Sequence, residues 1–177
     1  MINLKPLYSK LGLVICLFCL GPLSFADTSA YQVCFTPGQD CTGLIVKQID
    51  AAKNNIWVQA YSFTSYQIGD ALVRAEERGV NVQIIMDKSN FEPGAHGSAQ
   101  YLLRHGIKIW NDYQLNIAHN KVMIFDNDIV ETGSFNFTYA AQNHNAENVL
   151  IINSPQLAQD YLSNWTQRQK LSVAVQP

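Results

Sequence analysis

The chain has 177 residues, with 12 lysines and arginines against 14 aspartates and glutamates, which gives a formal net charge of −2 at pH 7. This balance excludes a protein with a uniformly basic surface, so any nucleic-acid site must be a local positive cleft on an acidic body. No internal repeat or low-complexity tract interrupts the sequence, and the length suits one domain with a sound hydrophobic core.

Residues 1–26 have the pattern of a secretory signal peptide. Lys5 and Lys10 form a positive start, residues 11–20 are an apolar run, and small residues end at Ala26, where cleavage is expected. An uncleaved membrane anchor is the alternative, although the run is shorter than the roughly 20 residues of a spanning helix. Cleavage would leave 10 basic and 14 acidic residues, a net charge of −4. We expect an exported protein, periplasmic or secreted, without stable membrane association after cleavage.

Two cysteines, Cys34 and Cys41, follow the signal segment and flank the sequence F-T-P-G-Q-D. A Pro-Gly turn can bring their Cα atoms within disulfide range. An oxidising destination favours a structural disulfide, and two unpaired thiols are the alternative. Zinc binding is not indicated, because neither paired Cys-x-x-Cys motifs nor a His-x-x-x-His motif occurs after residue 26.

From the second of these cysteines onward, segments with helical apolar spacing alternate with short β-branched or aromatic runs. Asp40 or Thr42 is expected to cap the first helix, and Ser154, followed by Pro155, to cap the last. Helices are predicted for residues 41–54, 66–78 and 98–105 and from residue 155 onward, and strands for residues 56–63, 80–86, 107–110, 122–125, 129–136 and 147–152.

This alternation is typical of one α/β domain, which we assign to residues 27–177. Turn-forming residues at 126–128 connect two adjacent strands, and such a hairpin makes part of the sheet antiparallel. The expected architecture is a mixed, largely parallel β-sheet flanked by helices. The loop at residues 87–97 is rich in Pro, Gly, Asn and Ser and is a candidate rim of a substrate site. Residues 137–145 are expected to form a loop or short helix.

Reactive side chains concentrate on the two strands that this hairpin connects. His119 and Lys121 are two residues apart, so on an extended strand they point to the same face. The second strand ends close to Ser134 and Asn136, which the turn folds back toward the first pair. An imidazole, an ammonium, a hydroxyl and a carboxamide gathered in this way are suited to handling a phosphate group.

The spacing of these residues is also specific. His-x-Lys-(x4)-Asp, followed after six residues by Gly-Ser-x-Asn, resembles the HKD motif of the phospholipase D superfamily, and its positions here are His119, Lys121, Asp126, Gly133, Ser134 and Asn136. The resemblance extends over about residues 41–165. A short chain with one motif is most similar to the bacterial phospholipase-D-like endonucleases.

The resemblance implies a role for each side chain of the motif. His119 is the expected nucleophile, which would form a phosphohistidine intermediate. Lys121 and Asn136 are expected to contact the phosphate, and Ser134 to lie beside it. An exported endonuclease of low sequence specificity, acting on DNA and also on RNA, is the expected function. A lipid phosphodiesterase with the same site is the alternative, and a non-catalytic phosphate-binding module is a third interpretation.

Two acidic residues complete the expected catalytic set. Asp126, the acidic residue of the motif, belongs to it by resemblance, although its place in a turn indicates a structural role. Glu147 starts a strand and resembles the acidic residue that family members place against the catalytic histidine; a solvated carboxylate is the alternative. No carboxylate cluster of the kind that holds Mg²⁺ is evident, so neither a metal nor another cofactor is expected.

A single motif raises the question of the second proton carrier. One histidine cannot be the phosphorylated nucleophile and the acid for the leaving oxygen in the same step, and most family members carry two motifs. His105 and His144 lack the accompanying Lys and Asp. We therefore expect a homodimer whose two-fold axis passes through the cleft and brings two copies of His119 together.

Other residues near the motif have lower functional weight. His105 is expected to be structural, whereas His96 and His144 lie in loops that could reach the cleft. Three aromatic residues have two interpretations, core packing, which we prefer, and stacking on nucleic-acid bases: Phe135, Phe137 and Tyr139.

Overall fold

Strands and helices alternate along the part of the chain that the computed structural model describes, residues 31–94 and 97–176. The strands are β1 (Tyr31–Thr36), β2 (Asn55–Ala60), β3 (Asn81–Asp87), β4 (Lys108–Asp112), β5 (Lys121–Phe125), β6 (Ile129–Gly133), β7 (Glu147–Asn153) and β8 (Val173–Ala174). The helices are α1 (Cys41–Ala51), α2 (Tyr66–Glu77), α3 (Ala99–Arg104), α4 (Tyr139–Asn143) and α5 (Pro155–Leu171), and a 3-10 turn covers Lys88–Phe91.

All eight of these strands join one sheet in the order β1-β7-β6-β5-β2-β3-β4-β8. Strand β2 pairs in parallel with β3, and β3 with β4, whereas the other five neighbouring pairs are antiparallel. The α/β class and the mixed sheet are therefore confirmed. The sheet is not largely parallel as expected, because only two of its seven strand pairs are parallel. Helical crossovers connect β2 to β3 and β3 to β4, whereas tight connections and returning strands make the other pairs antiparallel.

Helices cover both faces of the sheet. The side chains of β5 alternate, so Met123 and Phe125 join the core under α1, α2 and α3, whereas Val122 and Ile124 face α5. On the α5 side, Trp165 is buried and its Nε1 donates a hydrogen bond to the Val58 carbonyl oxygen at 2.9 Å. Burying a side chain of this kind contributes roughly 1.5–3 kcal/mol, so the two layers fix the central strands between them.

Strand β1 was not predicted from the sequence. It pairs antiparallel with β7 at the edge of the sheet, from Tyr31 opposite Ile152 to Thr36 opposite Glu147. Its large apolar side chains point outward and are exposed, which is the reverse of the usual pattern and weakens the strand signal in the sequence. The short strand β8, which pairs with β4, was also not predicted.

A disulfide joins β1 to the first turn of α1. The Sγ atoms of Cys34 and Cys41 are bonded, with their Cα atoms 5.5 Å apart, and both residues are buried. Of the two candidate caps, Asp40 caps the helix, because its Oδ1 accepts a hydrogen bond from the Gly43 N–H at 2.7 Å.

The predicted signal peptide, residues 1–26, lies outside the described residues. Among the helices that the structure does describe, none has the length and apolar character to cross a membrane.

Candidate active site

Except for Asp126, the motif residues lie toward one edge of the sheet. Lys121 begins β5 opposite Ala60, which ends β2, and Gly133 ends β6 beside Val149 near the start of β7. Strands β5 and β7 run antiparallel to β2 and β6. The starts of β5 and β7 therefore lie at the same edge of the sheet as the ends of β2 and β6. We call this edge the catalytic edge. It brings together His119, Lys121 and Ser134, with Glu147 bonded to Ser134, and Asn136 follows two residues after Ser134.

The backbone on either side of His119 is held by two neighbouring elements. The Tyr61 N–H donates to the Asn120 carbonyl oxygen at 2.9 Å, which continues the β2–β5 pairing by one step. The Ala118 N–H donates to Oδ2 of the buried Asp87, at the end of β3, at 2.7 Å. Oδ1 of the same carboxylate accepts hydrogen bonds from the N–H and Oγ–H of Ser89. The exposed imidazole therefore projects from a rigid backbone.

Tyr61 also contacts both His119 and Lys121. Its ring centroid lies 4.5 Å from that of His119, at an interplanar angle of 50°. On the same ring, Nζ of Lys121 lies 4.9 Å from the centroid, within the range of a cation–π contact. Tyr61 thus fixes the spacing between the imidazole and the ammonium.

Lys121 is the most buried cation of the catalytic edge, with a relative exposure of 6%. Its Nζ donates to the His119 carbonyl oxygen at 2.7 Å. Burial lowers the pKa of the Lys121 ammonium, and the negative charge of Glu147 raises it by a smaller amount. A phosphoryl anion beside this partly desolvated ammonium would favour its charged form, so the position is suited to binding one.

Ser134 and Glu147 form a hydrogen-bonded pair. The Ser134 Oγ–H donates to Oε2 of Glu147 at 2.5 Å, and Nδ2 of Asn145 donates to Oε1 at 3.0 Å. The Asn148 N–H in turn donates to Ser134 Oγ at 3.1 Å. In the described chain the Glu147 carboxylate is thus engaged by Ser134 and Asn145, and its role as the acceptor for His119 stays a prediction.

Gly133 and Asn136 have distinct functions in the Gly-Ser-x-Asn turn. A Cβ atom at Gly133 would lie 2.2 Å from the Asn148 carbonyl oxygen, so only glycine allows β6 and β7 to approach this closely. The carboxamide oxygen of Asn136 is buried and has no hydrogen-bond partner among the residues that the structure describes. Because buried polar atoms normally have partners, this atom indicates a position built for a ligand or a second subunit.

Asp126 lies at the opposite end of β5 from the catalytic edge. Its carboxylate accepts hydrogen bonds from the N–H groups of Lys53, Asn54 and Asn55 at 2.8, 2.7 and 3.0 Å. Asn120 and the five residues of β5 lie between it and His119, and the seven steps span roughly 23 Å at 3.3 Å per residue. The structure therefore corrects the inclusion of Asp126 in the catalytic set, because this carboxylate anchors the loop before β2 to the turn after β5.

The remaining aromatic and histidine candidates lie in different surroundings. Phe135 and Phe137 are fully buried, so base stacking is excluded for them, whereas Tyr139 is exposed. Nδ1 of His105 lies 2.8 Å from the Tyr101 carbonyl oxygen, consistent with a structural role. The His144 ring packs edge-on against Tyr139 with centroids 5.5 Å apart. His96 lies outside the described residues.

An open cleft of about 370 Å³ runs along the catalytic edge. His119, Lys121, Gly133 and Ser134 form one side of it, and Tyr161 of α5 contributes to the other. Within residues 31–94 and 97–176, no group of three or more His, Cys, Asp or Glu side chains is arranged to hold a metal ion. The cleft presents the His119 imidazole, the Lys121 ammonium and the Ser134 hydroxyl to one space that has room for a phosphate group.

Tyr61 is the site residue that sequence reasoning assigned only to a strand, and it supports a prediction. We expect Tyr61→Leu to lower kcat about 10- to 100-fold with little change in KM, because the lost ring contacts are each worth about 0.5–1.5 kcal/mol. Tyr61→Phe retains the ring and should restore most of the activity. Steady-state kinetics with a chromogenic phosphodiester measures both variants, and equal losses in both would contradict a positioning role for the ring.

Glu131 is a buried carboxyl on β6, between Met123 of β5 and Ile151 of β7. Its exposure is 0%, and neither carboxyl oxygen has a well-formed hydrogen bond to a described residue. Burial raises the pKa of Glu131 well above its ordinary value, and the Met123 backbone lowers it by less. The folded protein therefore holds this side chain in its protonated form to a higher pH than the unfolded chain does.

A raised carboxyl pKa has a defined effect on stability. The contribution of the Glu131 carboxyl to the free energy of unfolding is fully present below the ordinary glutamate pKa of about 4.3. It is lost as the pH rises through the pKa of this group in the folded state. We expect Glu131→Met to increase the free energy of unfolding at pH 8 by about 1–3 kcal/mol, and by less at pH 4. Urea unfolding at both pH values measures the difference. The exposed Glu77→Gln is the control, and an equal response of both variants would contradict the assignment.

Comparisons with known proteins agree with this geometry. A family profile described as "Cardiolipin synthase, PLD-like domain" matches residues 45–168. The "Phospholipase D" of Rickettsia conorii is 44% identical over 146 residues, which cover 82% of this chain and 72% of that protein. The human "Mitochondrial cardiolipin hydrolase" is 30% identical over 129 residues, which cover 72% of this chain and 50% of that protein.

Solved structures extend the comparison to the fold. A phospholipase D family member, Nuc from Salmonella typhimurium, matches with a TM-score of 0.79 at 40% identity, covering 83% of this chain and 98% of that chain. NucT from Helicobacter pylori matches with a TM-score of 0.76 at 24% identity, covering 82% and 98%, which shows a shared fold. With the catalytic edge described above, these matches show that the chain belongs to the phospholipase D superfamily and is a phosphodiesterase of that family.

Proposed function

We propose that the protein is an exported endonuclease that cleaves phosphodiester bonds of nucleic acids through a phosphohistidine on His119, without a divalent metal. The observation that carries this proposal is the position of His119 beside Lys121 and Ser134 in a cleft that is open along the catalytic edge. A scissile phosphate within a polymer needs a site that the strand can pass through, and an open cleft provides it. Asn136, two residues beyond Ser134, carries an amide N–H that can donate to a phosphoryl oxygen.

The chemistry assigns a role to each group. A ring nitrogen of His119 attacks phosphorus and forms a P–N bond while the P–O bond to the leaving nucleotide breaks. Lys121 and the Asn136 amide stabilise the charge on the phosphoryl oxygens. The leaving oxygen takes a proton from a second imidazole. Water then attacks phosphorus, gives a proton to that imidazole, and breaks the P–N bond, which releases a phosphate monoester.

The second imidazole is the partner's His119 in a two-fold dimer. Each chain brings one motif, and a single His119 cannot supply both nucleophile and acid. The segment just before His119 has three exposed apolar side chains, Tyr113, Leu115 and Ile117. A partner that covers this segment would remove apolar surface from water and bring the two catalytic edges together.

A lipid phosphodiesterase is the second candidate function, and two observations favour it. The Rickettsia relatives are named phospholipase D, and the human relative is named for cardiolipin. The same three exposed apolar side chains beside His119 could also insert into a lipid surface. In the nucleic-acid proposal the same surface is the dimer interface. The oligomeric state and the substrate are therefore tested together.

The test incubates the purified protein with plasmid DNA, RNA and labelled phospholipid vesicles, each in excess chelator. Nicking of plasmid in chelator, by a species that sediments as a dimer, supports the proposal. Turnover of lipid without cleavage of either nucleic acid supports the second candidate. An active monomer would overturn the shared cleft, and dependence of nicking on added metal would overturn the proposed route.

Export is a separate part of the proposal. The signal-peptide pattern of residues 1–26 supports it, and so does the disulfide between Cys34 and Cys41, because such bonds persist in oxidising compartments. Fractionation of cells that express the full chain, with N-terminal sequencing of the product, tests it. A cytoplasmic product that retains residue 1 would contradict export, and a membrane-bound product that retains it would indicate an anchor.

A further inference from the structure

Two exposed tyrosines flank a groove next to the catalytic edge. Tyr66 is the first residue of α2 and Tyr139 the first residue of α4, with relative exposures of 72% and 67%. Each follows a loop that carries a site residue, Tyr61 in one case and Asn136 in the other. Monomeric surfaces seldom expose two large aromatic side chains around one depression without a ligand, so this pair calls for an explanation.

The two loops form one rigid unit beneath these tyrosines. Phe63 and Phe137 form a parallel bridge between the loops, and their buried rings pack edge-on with centroids 5.7 Å apart. The N–H groups of Thr64 and Ser65 both donate to the Phe137 carbonyl oxygen at 2.9 Å. The Tyr139 ring is further held on one side by His144. The backbone segments that carry the two tyrosines are therefore held together before any ligand arrives.

The groove between them, of about 510 Å³, has the lining of a base site rather than of a phosphate site. Its charged lining residue among those described is Asp40, an anion, and no Lys or Arg lines it. A phosphate would be repelled there, whereas a neutral ring could stack on tyrosine and bond to amides and hydroxyls. Such polar groups are supplied by Thr64, Gln67 and the side-chain oxygen of Asn143, whereas the Gln142 amide is bonded to the Thr42 N–H and the Gln39 carbonyl oxygen.

The groove lies at a distance from the catalytic edge that suits a base close to the scissile phosphate. Tyr139 is the third residue after Asn136, so the Cα–Cα span is at most about 11 Å. We propose that Tyr66 and Tyr139 form a stacking subsite for a nucleobase of single-stranded nucleic acid, next to the phosphate held by His119 and Lys121. This subsite rests on the proposed nuclease function and adds to it a preference for unpaired strands, whose bases are free to stack.

The experiment compares three substrates on the dimeric, full-length mature protein. They are a single-stranded oligonucleotide, the same strand with abasic positions around one cleavable linkage, and bis(p-nitrophenyl) phosphate. Tyr66→Ala and Tyr139→Ala should each raise KM for the base-bearing strand about 5- to 100-fold, the range expected for the loss of one stacked base. The rates on the abasic strand and the small diester should stay unchanged, and Tyr66→Phe and Tyr139→Phe should retain the wild-type KM.

Tyr31→Ala is the matched control, because Tyr31 is also exposed but lies at the opposite end of β1 from the catalytic edge. Equal losses on base-bearing and abasic strands, or unchanged KM in both alanine variants, would overturn the subsite. Dissociation of the dimer by these substitutions, measured by sedimentation, would make the groove a subunit interface and overturn it as well. Failure of the proposed nuclease function gives a different result, because the wild-type protein would then hydrolyse the small diester and cleave neither strand. That result would overturn the subsite as well.

Discussion

Replacement of His119 by alanine is expected to lower kcat for every phosphodiester substrate by more than about a thousandfold. The reason is that His119 is the nucleophile of the proposed covalent route, and loss of a nucleophile in comparable enzymes removes nearly all turnover above background. The imidazole is exposed and contributes little to the core, so the fold should be kept. A burst assay with radiolabelled substrate, quenched in alkali, should trap phosphohistidine on the wild-type chain and none on the variant.

His105→Ala is the control for the loss of a histidine, because His105 lies at the end of α3 and bonds to a backbone carbonyl oxygen. Its activity should stay within about twofold of wild type. Mixed dimers that carry one His119→Ala chain test the shared cleft further, since one imidazole would then lack its acid partner. Mixed dimers with half of the wild-type rate would mean that each subunit works alone, and a fully active His119→Ala homodimer would exclude the phosphohistidine route.

Replacement of Asp126 by alanine is expected to give the largest loss of stability, about 2–4 kcal/mol. The substitution removes a carboxylate that accepts three backbone hydrogen bonds, and hydrogen bonds to charged groups are each worth about 1.5–3 kcal/mol without being fully additive. Asp126 also has a φ of 52°, a backbone conformation that aspartate tolerates better than alanine. Chemical denaturation with two spectroscopic probes measures the change.

Two variants separate this role from catalysis. Asp128→Ala removes the same charge from the same turn, and its effect should stay within about 0.5 kcal/mol, because Asp128 is exposed. Asp126→Asn keeps an acceptor and the tolerance for positive φ, and it should be intermediate in stability. The kcat of folded Asp126→Ala should remain within about threefold of wild type. A thousandfold loss in a stable protein would return Asp126 to the catalytic set.

Local sequence was sufficient to predict the hairpin that carries the motif. The apolar run at 122–125, the turn residues after it and the two-residue spacing of His119 and Lys121 are features within one short segment, and β5 and β6 follow them. The helices were predicted within a few residues at their ends for the same reason, since amphipathic spacing and caps are local. The expectation that His119, Lys121 and Ser134 lie at one edge of the sheet depended only on these local elements.

Contacts between distant segments could not be predicted in the same way. Asp87 and Tyr61 hold the backbone around His119, but this depends on β2, β3 and β5 becoming neighbours in the sheet. The edge strand β1 exposes its apolar residues, so its pattern gave no strand signal, and its pairing with β7 made the sheet more antiparallel than expected. Phe135 and Tyr139 lie four residues apart, and only their burial distinguishes a core ring from an exposed one.

The direction of β1 has a practical consequence. The strand enters the sheet at Tyr31 and reaches the catalytic edge only at Thr36, opposite Glu147. Any polypeptide joined ahead of Tyr31 therefore meets the domain on the side remote from His119. An affinity tag or reporter fused ahead of Tyr31 would therefore start at the end of the sheet opposite the cleft, and we expect it to leave the approach of a long polymer unobstructed.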